Sequence, residues 1–169
     1  MNISKILKDS GLNRFFSKTK PKISNQPVVN ITDLDEDCEV VTIDKIGITE
    51  LGQGALLLKT QDGKEFPMSA FSAETAKSIS DFQQGRLDEL PTIYNLVEQI
   101  CENAELLLVK VRIFVSGHAL RANLYFTGKK GLVLRNFRAS DAIALATFYS
   151  IPILLKKELL QQSPKINSK

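Results

Sequence analysis

With 169 residues, 43% of them hydrophobic and 24% charged, the chain is long enough for one core and too apolar for a disordered polymer. No run reaches the roughly 20 apolar residues that span a bilayer, and the start lacks the continuous apolar stretch of a secretory signal. One histidine and two distant cysteines, Cys38 and Cys101, exclude the usual zinc spacings and a disulfide framework, so reduced thiols and a cytoplasmic location are expected.

The formal net charge of +3 is unevenly spread. Residues 1–30 carry six bases and one acid, and residues 31–44 carry six acids and no base. From Leu106 to Arg138 there are seven bases and no acid. Such clustering fits a polyanion such as nucleic acid, and equally a solvated face.

Residues 1–37 read as a basic, flexible tail, with a weak apolar face over Ile3, Ile6 and Leu7. The acidic run D-L-D-E-D-C-E follows. It has alternating aspartates but lacks the glycine and closing glutamate of a calcium loop, so pairing with the basic tail is the expectation. The domain is expected over 38–162, with a flexible end over 163–169.

From Glu39 the pattern becomes regular. Val41 and Ile43, then Ile46 and Ile48 after a one-residue slip, predict a strand. Two apolar runs around Asp62-Gly63 predict a hairpin, because that pair accepts the positive φ of a tight turn. A helix follows, capped by Ser72, with Glu74 in its first turn and Gly85 past its end. In the next helix Ile93, Leu96, Val97, Ile100 and Cys101 share a face, and Pro91 suits its entry.

Three strands come next. The alternation places Val109, Val111, Ile113 and Val115 on one face of the first, with Lys110, Arg112 and Phe114 on the other. Arg121, Asn123 and Tyr125 share a face of the second, and Val133, Arg135 and Phe137 a face of the third. The helix S-D-A-I-A-L-A-T-F-Y is apolar almost all round and should be buried. A short strand near Pro152 and a last helical turn complete the order. Three strands, two helices, three strands, helix, strand, helix: this predicts a single α+β domain with a mixed, largely antiparallel sheet and helices packed on it.

The chemistry is sparse. There is no P-loop, no dinucleotide fingerprint and no serine-hydrolase elbow. His118 falls in a hairpin turn, where a solvated role is the commoner one. Glu98 and Glu102 share a helix face and are read as solubilising charges before a cation site. Lys110, Arg112 and Arg121, with Phe114 and Tyr125, form a candidate basic and aromatic face for nucleic acid. Arg138, Ser140 and Asp141 stand where a strand meets a helix. Ser140 fits as N-cap, Asp141 opposes the dipole, and Arg138 can pair with Asp141 or meet a phosphate.

The stretch F-R-A-S-D-A-I-A-L-A-T-F-Y-S-I-P-I-L-L closely resembles the C-terminal signature of the bifunctional nuclease (BFN) domain, with Arg138, Ser140, Asp141, Ala142, Ala144, Leu145, Ala146 and Pro152 in place. The resemblance extends from Val40 to Leu160, with Pro67 and Glu74 at matching positions, and is most specific over 138–152. It implies a compact α+β domain with nuclease activity on DNA and RNA, and self-association into a homo-oligomer. Departures are local. The family's His-Asp pair is Tyr94-Asn95, its Trp and Gly after the proline are Ser69 and Phe71, and its R-P-S-D proline is Ala139. The resemblance therefore implies Glu74, Arg138 and Asp141 as catalytic candidates. Glu74 or Asp141 would hold a divalent cation such as magnesium or activate water, and Arg138 would bind the scissile phosphate. Lys110, Arg112, Arg121, Tyr125 and Ser140 are the substrate-binding candidates. A non-catalytic nucleic-acid-binding or regulatory module on the same fold is the alternative.

Overall fold

The computed structural model describes residues 36–87 and 92–161. Strands β1 (Cys38–Ile48), β2 (Gln53–Thr60) and β3 (Glu65–Ser72) form an antiparallel meander. Helices α1 (Ala73–Gln83) and α2 (Ile93–Asn103) follow. A second antiparallel meander contains β4 (Leu106–Ser116), β5 (Ala119–Gly128) and β6 (Leu132–Arg138). Helix α3 (Ala139–Phe148), strand β7 (Ile153–Lys156) and the short helix α4 (Lys157–Gln161) end the described chain. The predicted order of elements and the α+β class are both borne out.

One seven-stranded sheet results, in the order β3-β2-β1-β7-β4-β5-β6. Strand β7 closes the gap between the two meanders, antiparallel to β1 and parallel to β4. That single parallel pair requires a crossover, and α3 supplies it, packing on β4, β5 and β6 on its way from β6 to β7. The apolar character of α3 follows: Ala142, Ile143, Ala144 and Ala146 are all buried.

Local signals account for the element ends. Thr60 Oγ1 accepts from the Lys64 amide at 2.9 Å and bonds the Asp62 carboxylate, while Gly63 takes a φ of +87° to turn the β2–β3 hairpin. Ser72 caps α1 by accepting from the Thr75 amide at 3.0 Å. Gly85, at φ +71°, closes α1: its amide reaches the Phe82 carbonyl and that of Arg86 reaches Asp81.

Register shifts interrupt four strand pairs, at Ile43/Lys45, Gly54/Ala55, Leu108/Lys110 and Ala122/Leu124. Each extra residue bends its strand and deepens the right-handed twist. The first is the slip anticipated in β1, held by Gln83 Nε2 donating to the Ile43 carbonyl at 3.2 Å. The shifts in β4 and β6 correct simple alternation. In β4 the shift at Val109 puts Leu108 on the core side with Val111 and Ile113, and leaves Val115 exposed. In β6 the extra residue lies at Arg135 and Asn136, so Val133, Arg135 and Phe137 do not form one face. Asn136 adopts φ +64°, its amide donating to Asn123 Oδ1 at 3.2 Å.

Leu58, Ile79, Leu108, Val111, Ile113, Ile143 and Leu155 are the largest fully buried side chains. Burying each stabilises the fold by about 1.5–3 kcal/mol. Phe82, Tyr94 and Phe148 stack edge and face at 4.9–6.0 Å between ring centres, joining α1, α2 and α3. Helix α2 is docked less deeply than its pattern predicts. Cys101 is buried, but Ile93, Leu96 and Ile100 stay exposed.

Two tail assignments fall outside the described residues: the weak apolar face over Ile3–Leu7 and the pairing of the basic tail with the acidic run. Within the described part, Glu36 and Asp37 are tied to the domain. The Lys157 amide donates to the Asp37 carbonyl at 2.9 Å, and Lys157 Nζ to that of Glu36 at 2.6 Å.

Candidate nucleic-acid site

A cleft of about 740 Å³ lies where the curled sheet brings its two edge strands near each other. Strand β3 contributes Met68 to Ser72, and the β2 end contributes Gly52 and Gln53. Across from them stand His118 to Arg121, the end of β6 at Arg138, and the first turn of α3 through Asp141. In β3, Ala70 at φ +65° is the extra residue that lets the edge bend toward the cleft.

Arg121 and Arg138 are directly opposed on β5 and β6. Like charges at that spacing repel. Among the described residues neither guanidinium has an ion-pair partner. Two unneutralised cations beside the start of a ten-residue helix make an anion-attracting wall.

Ser140 is not the cap. Arg138 holds the extended N-cap conformation with no side-chain cap bond, so α3 starts one residue after it, at Ala139. The reason is burial: Ala139 and Ser140 are drawn into the core side of the first turn, and Ser140 is only 6% exposed. Its hydroxyl donates to Asp141 Oδ1 at 3.4 Å, a long bond that steadies the carboxylate at the cleft. Arg138 does not pair with Asp141, contrary to the sequence expectation.

The predicted basic face exists as cross-strand geometry but is spent differently. Lys110 faces Tyr125, Arg112 faces Asn123 and Phe114 faces Arg121. Lys110 is 7% exposed, with its ammonium 5.1 Å from the centre of the Tyr125 ring. Arg112 Nη2 binds Asp37 Oδ2 at 2.6 Å, and Lys156 Nζ lies 3.7 Å from the same oxygen. Burial opposes the Asp37 charge, but Arg112, the Cys38 thiol and Lys156 outweigh it and hold the carboxyl below its usual range. Arg121 is the member of the face that reaches the cleft.

Glu74 occupies a neighbouring depression with Lys77, Ser78, Asp81, Thr92, Ile93 and Tyr94. Tyr94 links the two regions electrostatically. Burial first, then the charges of Asp141 and Glu74, push its phenol up, against a hydrogen bond from Ser78. It therefore stays protonated near neutral pH and cannot serve there as a base. Asn95 is committed to capping: its Oδ1 accepts from the amide and the hydroxyl of Thr92, both at 2.9 Å.

A family profile, bifunctional nuclease domain, matches residues 56–167. The chain belongs to the bifunctional nuclease domain family. Its BFN domain therefore carries a nuclease-like, nucleic-acid-related role at the level of the family. No curated protein matches the chain. The BFN signature segment is the one that builds the Arg138–Asp141 side of the cleft. No three His, Cys, Asp or Glu side chains converge as a cation site among the described residues of this BFN domain. Among the described residues Asp141 is the one carboxylate lining the cleft, which by itself does not fit a magnesium site. No helix among those residues is long and apolar enough to cross a membrane.

Sequence reasoning missed two things about the site. It set His118 aside as a turn residue, and it did not pair Arg121 with Arg138. The first was approachable, since His118 is three residues from Arg121. The second depended on the β6 register shift, which alternation alone does not reveal.

Proposed function

We propose that the protein hydrolyses phosphodiester bonds in DNA or RNA, and that the cleft between the sheet edges is its site. The observation that carries this reading is the opposed, unneutralised pair Arg121 and Arg138 beside the start of α3. The phosphodiester would sit against both guanidiniums, with its negative charge also favoured by the helix N-terminus. Charge gathers on the non-bridging oxygens as water attacks, so these cations stabilise the transition state more than the ground state. Asp141, steadied by Ser140, accepts the proton of the attacking water. Glu74 lies in the neighbouring depression, outside the cleft, and takes no part in this step.

A second reading is a non-catalytic nucleic-acid-binding or regulatory module. It is favoured by Tyr94 and Asn95, which are engaged in packing and capping where the family's pattern has His and Asp.

The test presents labelled single-stranded RNA, single-stranded DNA and duplex DNA, with magnesium, manganese or chelator. Arg138→Ala and Asp141→Ala are prepared identically. Cleavage by the wild type that falls at least about 100-fold in both variants supports hydrolysis at the cleft. Binding without cleavage supports the second reading. Equal cleavage by all three proteins marks a contaminant and sinks the assignment.

A further inference from the structure

The proposed hydrolysis leaves one proton unaccounted for. When the phosphorus–oxygen bond breaks, the departing sugar oxygen must gain a proton or leave as a costly alkoxide. Asp141 is occupied with the proton of water, arginines do not give up protons, and Tyr94 lines the neighbouring depression rather than the cleft. A donor has to stand elsewhere on the cleft.

The chain's single histidine lines it. His118 occupies the tip of the β4–β5 hairpin, between the paired ends Ser116 and Ala119. Gly117 takes φ +61° while His118 does not enter the positive-φ region, the pattern of a two-residue turn with glycine first. Such a turn follows the twist of the strands, so the position of the imidazole is set by β4 and β5. The same hairpin carries Arg121, three residues on, whose cross-strand partner is Arg138. The charged groups that line the cleft with His118 are Arg121 from β5, Arg138 from β6 and Asp141 from α3. From β3 and α1 the lining polar groups are Ser69, Ser72 and Thr75, which carry no charge.

We propose that His118 is a further catalytic residue, the general acid that protonates the leaving oxygen of the phosphodiester. This rests on the hydrolytic reading above. Water's oxygen bonds to phosphorus and its proton passes to Asp141. The bond from phosphorus to the leaving oxygen breaks, and the imidazolium proton passes to that oxygen. The products are a phosphomonoester and an alcohol, and the two protein groups exchange their protons with solvent afterwards. Imidazole suits this step because its protonated ring donates an N–H and becomes a neutral acceptor once the proton has left.

The test compares wild type and His118→Gln on two oligonucleotides, one with the normal bridging oxygen and one with sulfur at the scissile bridge. A thiolate leaves without protonation. The variant should lose about 100-fold on the oxygen substrate and little on the sulfur one. On the oxygen substrate the wild-type rate should fall on the alkaline side as imidazolium is lost, and the variant should lack that limb. An unchanged rate on the oxygen substrate overturns the proposal. So does an equal loss on both substrates, which marks a structural effect. If the wild type binds both oligonucleotides and cleaves neither, the hydrolytic reading fails, and this inference with it.

Discussion

Arg121 and Arg138 face each other across β5 and β6, with no counter-ion for either among the described residues. A directly opposed like-charge pair costs roughly 0.2–1 kcal/mol. A fold gains nothing from that arrangement by itself, whereas an anion held by the two guanidiniums would relieve the repulsion.

The pair therefore yields a prediction with opposite signs. Arg138→Gln should raise thermal stability slightly, by up to about 1 kcal/mol, while weakening oligonucleotide binding. The salt dependence of binding should flatten by about 0.7–0.9 in log–log slope for each phosphate that the protein no longer neutralises. Parallel melting and binding titrations over a salt series read both effects. A variant that loses stability and keeps its affinity would refute the anion role.

Gly54 and Gly128 should not tolerate even a methyl group. A Cβ at Gly54 would lie 2.5 Å from the Phe71 ring and 3.0 Å from Ala76 Cβ. One at Gly128 would collide with the Glu105 carbonyl, a backbone atom that cannot swing aside. Each Gly→Ala change should cost about 1–3 kcal/mol in chemical denaturation. Gly128→Ala should be the worse of the two.

The lowered Asp37 carboxyl adds a small acid-sensitive contribution. A carboxyl depressed in the folded state stabilises above its unfolded value, about 3.9, and that contribution vanishes as pH falls through the folded one. The side chain is more than half exposed, so solvent holds the gain to about 1 kcal/mol or less. Asp37→Asn should be less stable than wild type from pH 5 to 8, and the difference should shrink as the pH falls below the unfolded value of about 3.9. Denaturation midpoints across that range measure it.

The two thiols should differ in reactivity. Burial pushes the Cys101 thiol up, and the residue is the buried one of α2. Cys38 is only half-buried on β1. An alkylating reagent at neutral pH should label Cys38 first, with Cys101 following only as the protein opens. Peptide mass spectrometry over a time course distinguishes the sites.

Much of this protein could be read along the chain, because the forces involved were local. Asp62-Gly63 marked a turn, Ser72 and Gly85 bounded a helix, and the apolar stretch after Arg138 announced a buried one. The segment 138–152 pointed to the family for the same reason: its pattern is contiguous. Pairing between distant strands was a different matter. One extra residue reverses which face a side chain takes, and the sequence does not announce where a strand will admit one. That is why Val109 leaves the face that alternation assigns to it, and why the shared face of Val133, Arg135 and Phe137 dissolves at Asn136. The same long-range geometry decided which cations were free. Arg112 found Asp37, 75 residues away, and Lys110 was covered, while Arg121 met Arg138. Composition determined that the middle of the chain was basic. Only the curling of the sheet, which carried β3 round toward β6, decided that two of those bases and the single histidine would line one cleft.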